Sequence, residues 1–279
     1  MSQKLSASIL GDDKRIPNSD YHDQQDEDKE VHYTCRLLQP PPLPPPLPTV
    51  AVLATTRDGR IGSYNKYMRI LVVGDGDFSF STSLALTFGP AHNMVSTSLD
   101  SLGFLMKNYK RSINNIDELK ARGCMVLHCV DATQMANHPR LSPIKFDRII
   151  FNFPLVGFFP RNVPRQLQIQ VNQSLVAEFM ANAKRMIEEE YGEIHITHKA
   201  NGFFKEWNLE QLGQSQGLWL KEEVNFQLSN YPGYQTKYGF GGDKDFDCSN
   251  SKTYKFKLMP FDFSKISGFR FVEEEIDEF

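Results

Sequence analysis

The feature that most constrains this chain is an uninterrupted apolar run, Ile70-Leu71-Val72-Val73, that breaks directly into Gly74-Asp75-Gly76-Asp77-Phe78-Ser79. Such a run has no polar face to turn toward water, so it predicts a short strand buried on both sides of a sheet. The glycines behind it allow a sharp turn and a close approach of the backbone to a ligand. A helix is predicted over 79–88, opened by Ser79, and its N-terminal N–H groups would face whatever sits above the strand tip.

The same rhythm continues downstream. Strands are predicted over 94–98, ending at Leu99-Asp100, over 125–129, ending near Asp131, and over 147–151, ending at Asn152-Phe153-Pro154. Two helical stretches fill 101–122. A longer amphipathic helix is predicted over 171–190 from Val171, Leu175, Phe179, Ala183 and Ile187 at helical spacing. A fifth strand is predicted over 193–197, a helix over 207–214, and two last strands over 218–228 and 252–258. Alternation of strands and helices predicts an α/β domain with a mostly parallel sheet covered on both faces. The last two strands have no long helix between them, which predicts an antiparallel hairpin.

The domain so defined spans 61–260. Its 22 basic and 19 acidic side chains give it +3 within a chain of net charge −3. That balance permits contact with RNA without arguing for it, since a committed phosphate binder shows a denser basic patch. Residues 1–60 are expected to be a disordered arm. Its near-continuous proline tract from Pro40 to Pro48 predicts polyproline II, read as a stiff spacer or as a ligand for an SH3- or WW-type partner. Residues 261–279 form an acidic tail. The four cysteines include no C-x-x-C pair, and no ligand pair follows Cys124, His128 and Cys129, so neither a disulfide framework nor a metal site is expected. No apolar stretch is long enough to span a membrane, and the acidic first 30 residues do not resemble a secretory or transit peptide.

In a sheet of this kind ligands sit above the carboxyl ends of the strands, near the point where strand order reverses. The functional residues are therefore sought at the strand tips. The first turn departs from G-x-G-x-x-G by placing Ser79 where the third glycine would be. Asp75 and Asp77 would repel a pyrophosphate, which disfavours a nicotinamide-dependent reductase. They suit a cofactor bearing an ammonium and a sulfonium, with Gly74, Gly76, Phe78 and Ser79 as its other neighbours. Asp100 can accept both hydroxyls of a ribose, or it can cap the helix that follows. Asp131, with Ala132 and Thr133, stands where an acid in methyltransferases meets the adenine amino group, or it too is an N-cap. Asn152 ends a fully apolar run where hydrocarbon would be expected, and Asn152-Phe153-Pro154 resembles the Asn/Asp-Pro-Pro-aromatic signature of amino-methyltransferases. His195 and His198 lie an odd number of residues apart on one strand, so they face opposite sides and are read as structural. Tyr231-Pro232-Gly233-Tyr234 is a loop with aromatic rings that either stack on a base or make an ordinary β-connection.

The segments ILVVGDGDFSFS, TSLDS, VLHCVDAT, FDRIIFNFP, GEIHIT and NYPGY occur in an order and spacing that resemble the ribosomal RNA (uridine-N3)-methyltransferase-like family, from about Arg69 to about Leu258. The resemblance implies a Rossmann-like class I methyltransferase with a seven-stranded, mostly parallel sheet and a C-terminal antiparallel hairpin. It implies S-adenosyl-L-methionine as cofactor, lying across Gly74 to Phe78, with Asp100 on its ribose and Asp131 near its adenine. Asn152, Phe153 and Pro154 would face the target base in large-subunit rRNA. Apart from the resemblance, a positioned carboxylate or histidine could take the N3 proton, and Asp77 is the leading candidate. A monomer working in the nucleolus or cytoplasm is expected. The family commonly carries histidine after the NFP proline, where this chain has Leu155. That departure keeps a second reading open, a methyltransferase-like module that binds RNA or protein without turnover.

Overall fold

The computed structural model of the chain describes residues 59–239 and 242–260. The readings of a disordered arm, its polyproline tract and its SH3 or WW partner, and of the acidic tail, lie outside the described residues. In chain order the elements are β1 (Arg60–Ile61), β2 (Tyr64–Asn65), β3 (Ile70–Val73), α1 (Ser79–Phe88), β4 (Met94–Thr97), α2 (Leu102–Asn108), α3 (Ser112–Ala121), β5 (Met125–Leu127), β6 (Arg148–Asn152) and α4 (Arg165–Met186). They continue with β7 (Glu193–Lys199), α5 (Gly202–Lys205), α6 (Leu209–Ser215), β8 (Leu218–Asn225), β9 (Lys237–Gly239), β10 (Gly242–Asp245) and β11 (Ser251–Leu258).

One seven-stranded sheet runs in the order β5-β4-β3-β6-β7-β11-β8. Its first five strands are mutually parallel, and β11 is antiparallel to both β7 and β8. This is the seven-stranded Rossmann-like sheet with a closing antiparallel pair that the alternation of elements and the family resemblance led us to expect. The chain goes outward from β3 to β5 and then returns to β3's other edge with β6. Strand order therefore reverses between β3 and β6, and the crevice above their carboxyl ends is where such sheets hold ligands.

The period-two alternation of β3 explains its central position. Ile70 and Val72 pack on one face with Leu84, Met94, Leu105 and Ile150, beneath α1, α2 and α3. Leu71 and Val73 pack on the other with Ile149, Phe151, Val176 and Phe179, beneath α4. Both faces are closed to water, so all four side chains are buried.

Several boundaries differ from the sequence expectation for identifiable reasons. α4 begins at Arg165, six residues earlier than expected, because Pro164 sits at its N-cap with φ −56°, where the missing N–H costs nothing. It ends at Met186 because Ile187 leaves the helix to bridge Phe146 in parallel. β5 stops at Leu127, and Cys129 takes a left-handed φ of 57° that redirects the chain. The helix after Trp207 starts at Leu209 because Asn208 accepts the Gln211 N–H as its cap. Two small hairpins, β1–β2 and β9–β10, carry too few residues for a period to show in the sequence.

Candidate active site

A cavity of about 410 Å³ opens at the carboxyl ends of β3 and β6, within the size range of small-molecule sites. Its floor is the turn after β3. Gly74 has φ 62°, and a Cβ there would lie 2.8 Å from the Phe151 ring, so glycine is required on both counts. At Gly76 a Cβ would meet nothing within 4 Å, which leaves that backbone open.

Three carboxylates line one wall: Asp75, Asp77 and Asp100. Asp75 Oδ2 accepts the Ser81 N–H at 2.8 Å and Asp77 Oδ1 accepts the Ser79 N–H at 3.0 Å. Asp77 Oδ2 is buried with no hydrogen-bond partner among the described residues. The cap of α2 is Ser101, whose Oγ accepts the Phe104 N–H at 3.2 Å, so Asp100 is relieved of that task. Burial pushes the Asp75 carboxyl up to about 7, with the neighbouring charge of Asp77 adding to it. Burial likewise raises Asp77 and Asp100. Carboxylates crowded together and drawn out of water are relieved by a cationic ligand.

The facing wall has a different chemistry. Asn152 ends β6 on the cavity, and both its Oδ1 and its Nδ2 are buried without a hydrogen-bond partner among the described residues. The turn behind it is tight: Phe153 has φ 51°, and its N–H bonds the Thr197 carbonyl at 2.7 Å. The tip of β7 adds His198 and Lys199. His198 Nδ1 lies 2.9 Å from the Lys199 carbonyl, so Nδ1 carries the proton and donates it. Burial lowers the imidazole to about 4, and Nε2 remains an unpartnered lone pair near neutral pH.

The rest of this wall comes from the segment between β8 and β11. Lys237 and Tyr238 of β9, and Phe246 after β10, line the cavity. Lys237 Nζ is held 2.9 Å from Asp245 and 3.2 Å from Asp243 across the hairpin. The segment is tied to the start of α1, where Ser79 Oγ accepts the Gln235 N–H at 3.0 Å.

Of the residues singled out from the sequence, Gly74, Asp75, Gly76, Asp77, Asp100, Asn152, Phe153 and Pro154 line this one cavity. Phe78, Ser79, Asp131 and Ala132 are not among its lining residues. Phe78 caps α1 with φ 64° and turns its ring into the core, 5.6 Å edge-on from His128. Ser79 serves the tie to Gln235. Asp131 Oδ1 accepts both the N–H and the hydroxyl of Thr133, the capping alternative in its local form. Ala132 is buried in the core under α4.

His195 faces away from the cavity. Its Nε2 lies 2.9 Å from Glu193 and its Nδ1 2.9 Å from the Tyr64 hydroxyl, in a buried chain that fastens the β1–β2 hairpin to the sheet. The Tyr231–Tyr234 loop also turns inward. Tyr231 stacks on Phe226 at 5.6 Å and 10°, and Tyr234 packs against Phe80 at 5.1 Å, although Tyr234 does reach the cavity. The tips of strands, carried through to β7, would have flagged His198 and Lys199. Nothing comparable marks Phe158, Lys237, Tyr238 or Phe246.

The family described as BMT5-like, rRNA (uridine-N3-)-methyltransferase BTM5-like, matches residues 71–238. An uncharacterized protein of Arabidopsis thaliana is 44% identical over 201 residues, covering 70% of this chain and 95% of that relative. The heavy metal-associated isoprenylated plant protein 41 of the same species is 43% identical over 197 residues, with 70% of this chain and 38% of that protein covered. The chain thus spans well under half of that second relative. The 25S rRNA (uridine(2634)-N(3))-methyltransferase of Saccharomyces cerevisiae is 22% identical over 228 residues, covering 63% of this chain and 67% of that enzyme.

Proposed function

This chain belongs to the BMT5-like rRNA (uridine-N3-)-methyltransferase family, and from that premise we propose that it methylates N3 of a uridine in large-subunit rRNA, with S-adenosyl-L-methionine as donor. The observation that carries the reading is the Asn152 carboxamide, with donor and acceptor both buried and unpaired on a cavity whose other wall is three carboxylates. A buried amide with no partner is costly, and a planar ligand offering its own donor and acceptor relieves that cost.

The donor group fits the residues present. Asp75 and Asp77 would sit nearest its positive charges, the open backbone at Gly76 would admit it closely, and Asp100 would accept its ribose hydroxyls. Asp131, at the tip of β5 and bonded to Thr133 outside the cavity lining, is assigned to the adenine on the family resemblance. When bound, the cofactor supplies a methyl group already activated by the sulfonium.

The remaining work falls to the chain. The N3 imide of uridine keeps its proton near neutral pH and becomes nucleophilic once that proton leaves. Asp77 Oδ2, unpartnered and made more basic by burial, takes the proton. Asn152 and the Phe153 backbone fix the base in line with the methyl group, and orientation of this kind contributes on the order of 7 kcal/mol or more. The apolar rings around Phe153 keep water from the charge. A place in ribosome assembly, in the nucleolus or the cytoplasm, goes with this substrate.

The test is methyl transfer to total RNA from cells lacking the protein, followed by nucleoside mass spectrometry. The expected product is 3-methyluridine in large-subunit rRNA. Tight cofactor binding with no methylated nucleoside would replace this reading with that of a non-catalytic module, to which Leu155 in place of the family histidine would then be the pointer.

A further inference from the structure

Two lysines line the cavity, and they are engaged very differently. Lys237 Nζ donates to the Asp243 carbonyl at 2.9 Å and lies 3.2 Å from Asp243 Oδ1 and 2.9 Å from Asp245 Oδ1, so its three protons are taken. Lys199 Nζ lies 3.8 Å from Asp247 Oδ2, too far for a hydrogen bond, and makes none among the described residues. Asp247 is already answered by the N–H and the hydroxyl of Ser249, at 2.9 and 2.6 Å. The Lys199 side chain is only 22% exposed, so it is not an ordinary solvated surface lysine. Its place in the sheet is set by register. Asn152 pairs with Thr197 across the parallel strands β6 and β7, and Lys199 follows two residues later. Paired residues, and residues two apart on a strand, share a face. Asn152 and Lys199 therefore leave the same face at neighbouring strand ends, and both line the cavity, while His198 leaves the other face.

Resting on the uridine-methylating reading above, we infer that Lys199 is a catalytic residue that donates to a carbonyl oxygen of the target base and stabilises the base as its N3 anion. The reaction needs such a group. When the N3 proton passes to the Asp77 carboxylate, the electron pair left behind spreads over N3 and the two flanking carbonyl oxygens. That anion forms opposite a wall of three carboxylates. A cation on the base side lowers its cost, and one held in place in a site closed to water counts for far more than one in solution. The N3 pair then bonds the methyl carbon, and the carbon–sulfur bond breaks with its pair going to sulfur. Lys199 keeps its protons throughout. An ammonium has donors only, so it suits the two-carbonyl edge of uridine and is mismatched to the amino group of cytidine. The same residue thereby favours uridine and activates it.

The experiment compares the full chain with Lys199→Met and Lys199→Arg. Both substitutions keep the backbone carbonyl that holds His198. The substrates are large-subunit rRNA transcripts made with uridine or with 5-fluorouridine, whose electron-withdrawing fluorine makes the N3 proton more acidic. Lys199→Met should lower kcat on the uridine transcript about a hundred-fold, with the KM for RNA and the cofactor affinity by calorimetry within a few-fold of wild type. Loss of the cation makes the N3 anion harder to form, so the inflection of kcat against pH should move about one unit or more toward alkali. The 5-fluorouridine transcript should recover much of the lost rate, and Lys199→Arg should keep most of it. A raised KM with kcat unchanged would make Lys199 a phosphate anchor and overturn the inference. So would an equal deficit on both transcripts with an unmoved pH profile, which is the mark of a structural role, or a methionine variant equal to wild type. In those cases wild-type methylation of uridine still stands. A wild type that methylates no uridine in either transcript removes the methylation reading itself, and this inference with it.

Discussion

The two walls of the cavity are built in opposite ways. The first wall is the tips of β3 and β4, where Asp75, Asp77 and Asp100 hang on short turns directly off the buried sheet. The second wall is assembled from Asn152 on β6, the tip of β7, the loop that carries Phe158, and a hairpin inserted between β8 and β11. The first is acidic, and its carboxyls are raised by burial. The second is aromatic, with an unpaired amide and two lysines. A site made this way largely separates its tasks: one wall takes a small cationic cofactor, the other takes a flat base on an anionic strand, and Asp77, which faces both, is the point where they meet. Cofactor affinity and the methyl-transfer rate should therefore fail separately when Asp100 and Asn152 are altered separately.

The largest effect that sharpens this separation comes from Asp100→Ala. Two charge-assisted bonds to ribose hydroxyls are worth a few kcal/mol together, so cofactor affinity should fall about a thousand-fold in calorimetry. Helix α2 should survive, because Ser101 holds its cap. Full-strength binding by the variant would erase the distinction between the walls at its strongest point.

Next in size is Asn152→Ala. Cofactor affinity should stay within a few-fold of wild type, while the methylation rate falls about a hundred-fold, the usual scale for losing one oriented polar contact to a reacting group. A variant that loses cofactor and rate together would show Asn152 to be part of the first wall.

The same division governs what could be read from the sequence. The first wall was legible because Asp75 and Asp77 follow the apolar run of β3 and Asp100 follows the next strand, Met94–Thr97, and the ligand side of such strands is fixed by topology. Asn152 was legible for the same reason. Where the rule met the edge strand β5, the left-handed Cys129 intervened before Asp131, and its carboxylate found a partner in Thr133 instead. The second wall was mostly illegible. Lys237, Tyr238 and Phe246 belong to a stretch with no periodicity, and only folding of the hairpin back onto Ser79 brings them to the cavity. The aromatic loop that did stand out, Tyr231 to Tyr234, turned inward, where its rings pack against Phe80 and Phe226. His198 faces the side of the sheet opposite to His195, as their spacing required, yet only the fold reveals that His198, near the carboxyl end of β7, reaches the cavity while His195 is buried in the sheet.

The smallest of these effects probes the charge of the first wall itself. Asp75 is buried, and its carboxyl titrates at about 7, raised from 3.8 first by burial and then by Asp77. Because the folded value is the higher one, the native state prefers the protonated acid. Stability is then greatest below the unfolded value, declines as the pH rises from about 4 to about 7, and is flat above. Asp75→Asn should melt higher than wild type in alkaline buffer and close to it in acid. A cationic ligand has the opposite preference, since it gains from the ionised carboxylate. Cofactor affinity in wild type should therefore tighten as pH rises, by up to about ten-fold between pH 6 and pH 8, the range over which such a group goes from mostly protonated to mostly charged. Calorimetry at the two pH values on both proteins checks this, and the asparagine variant should show no such slope. A wild type that binds equally at both, matched by its variant, would mean that the charge on this wall is not what the ligand feels.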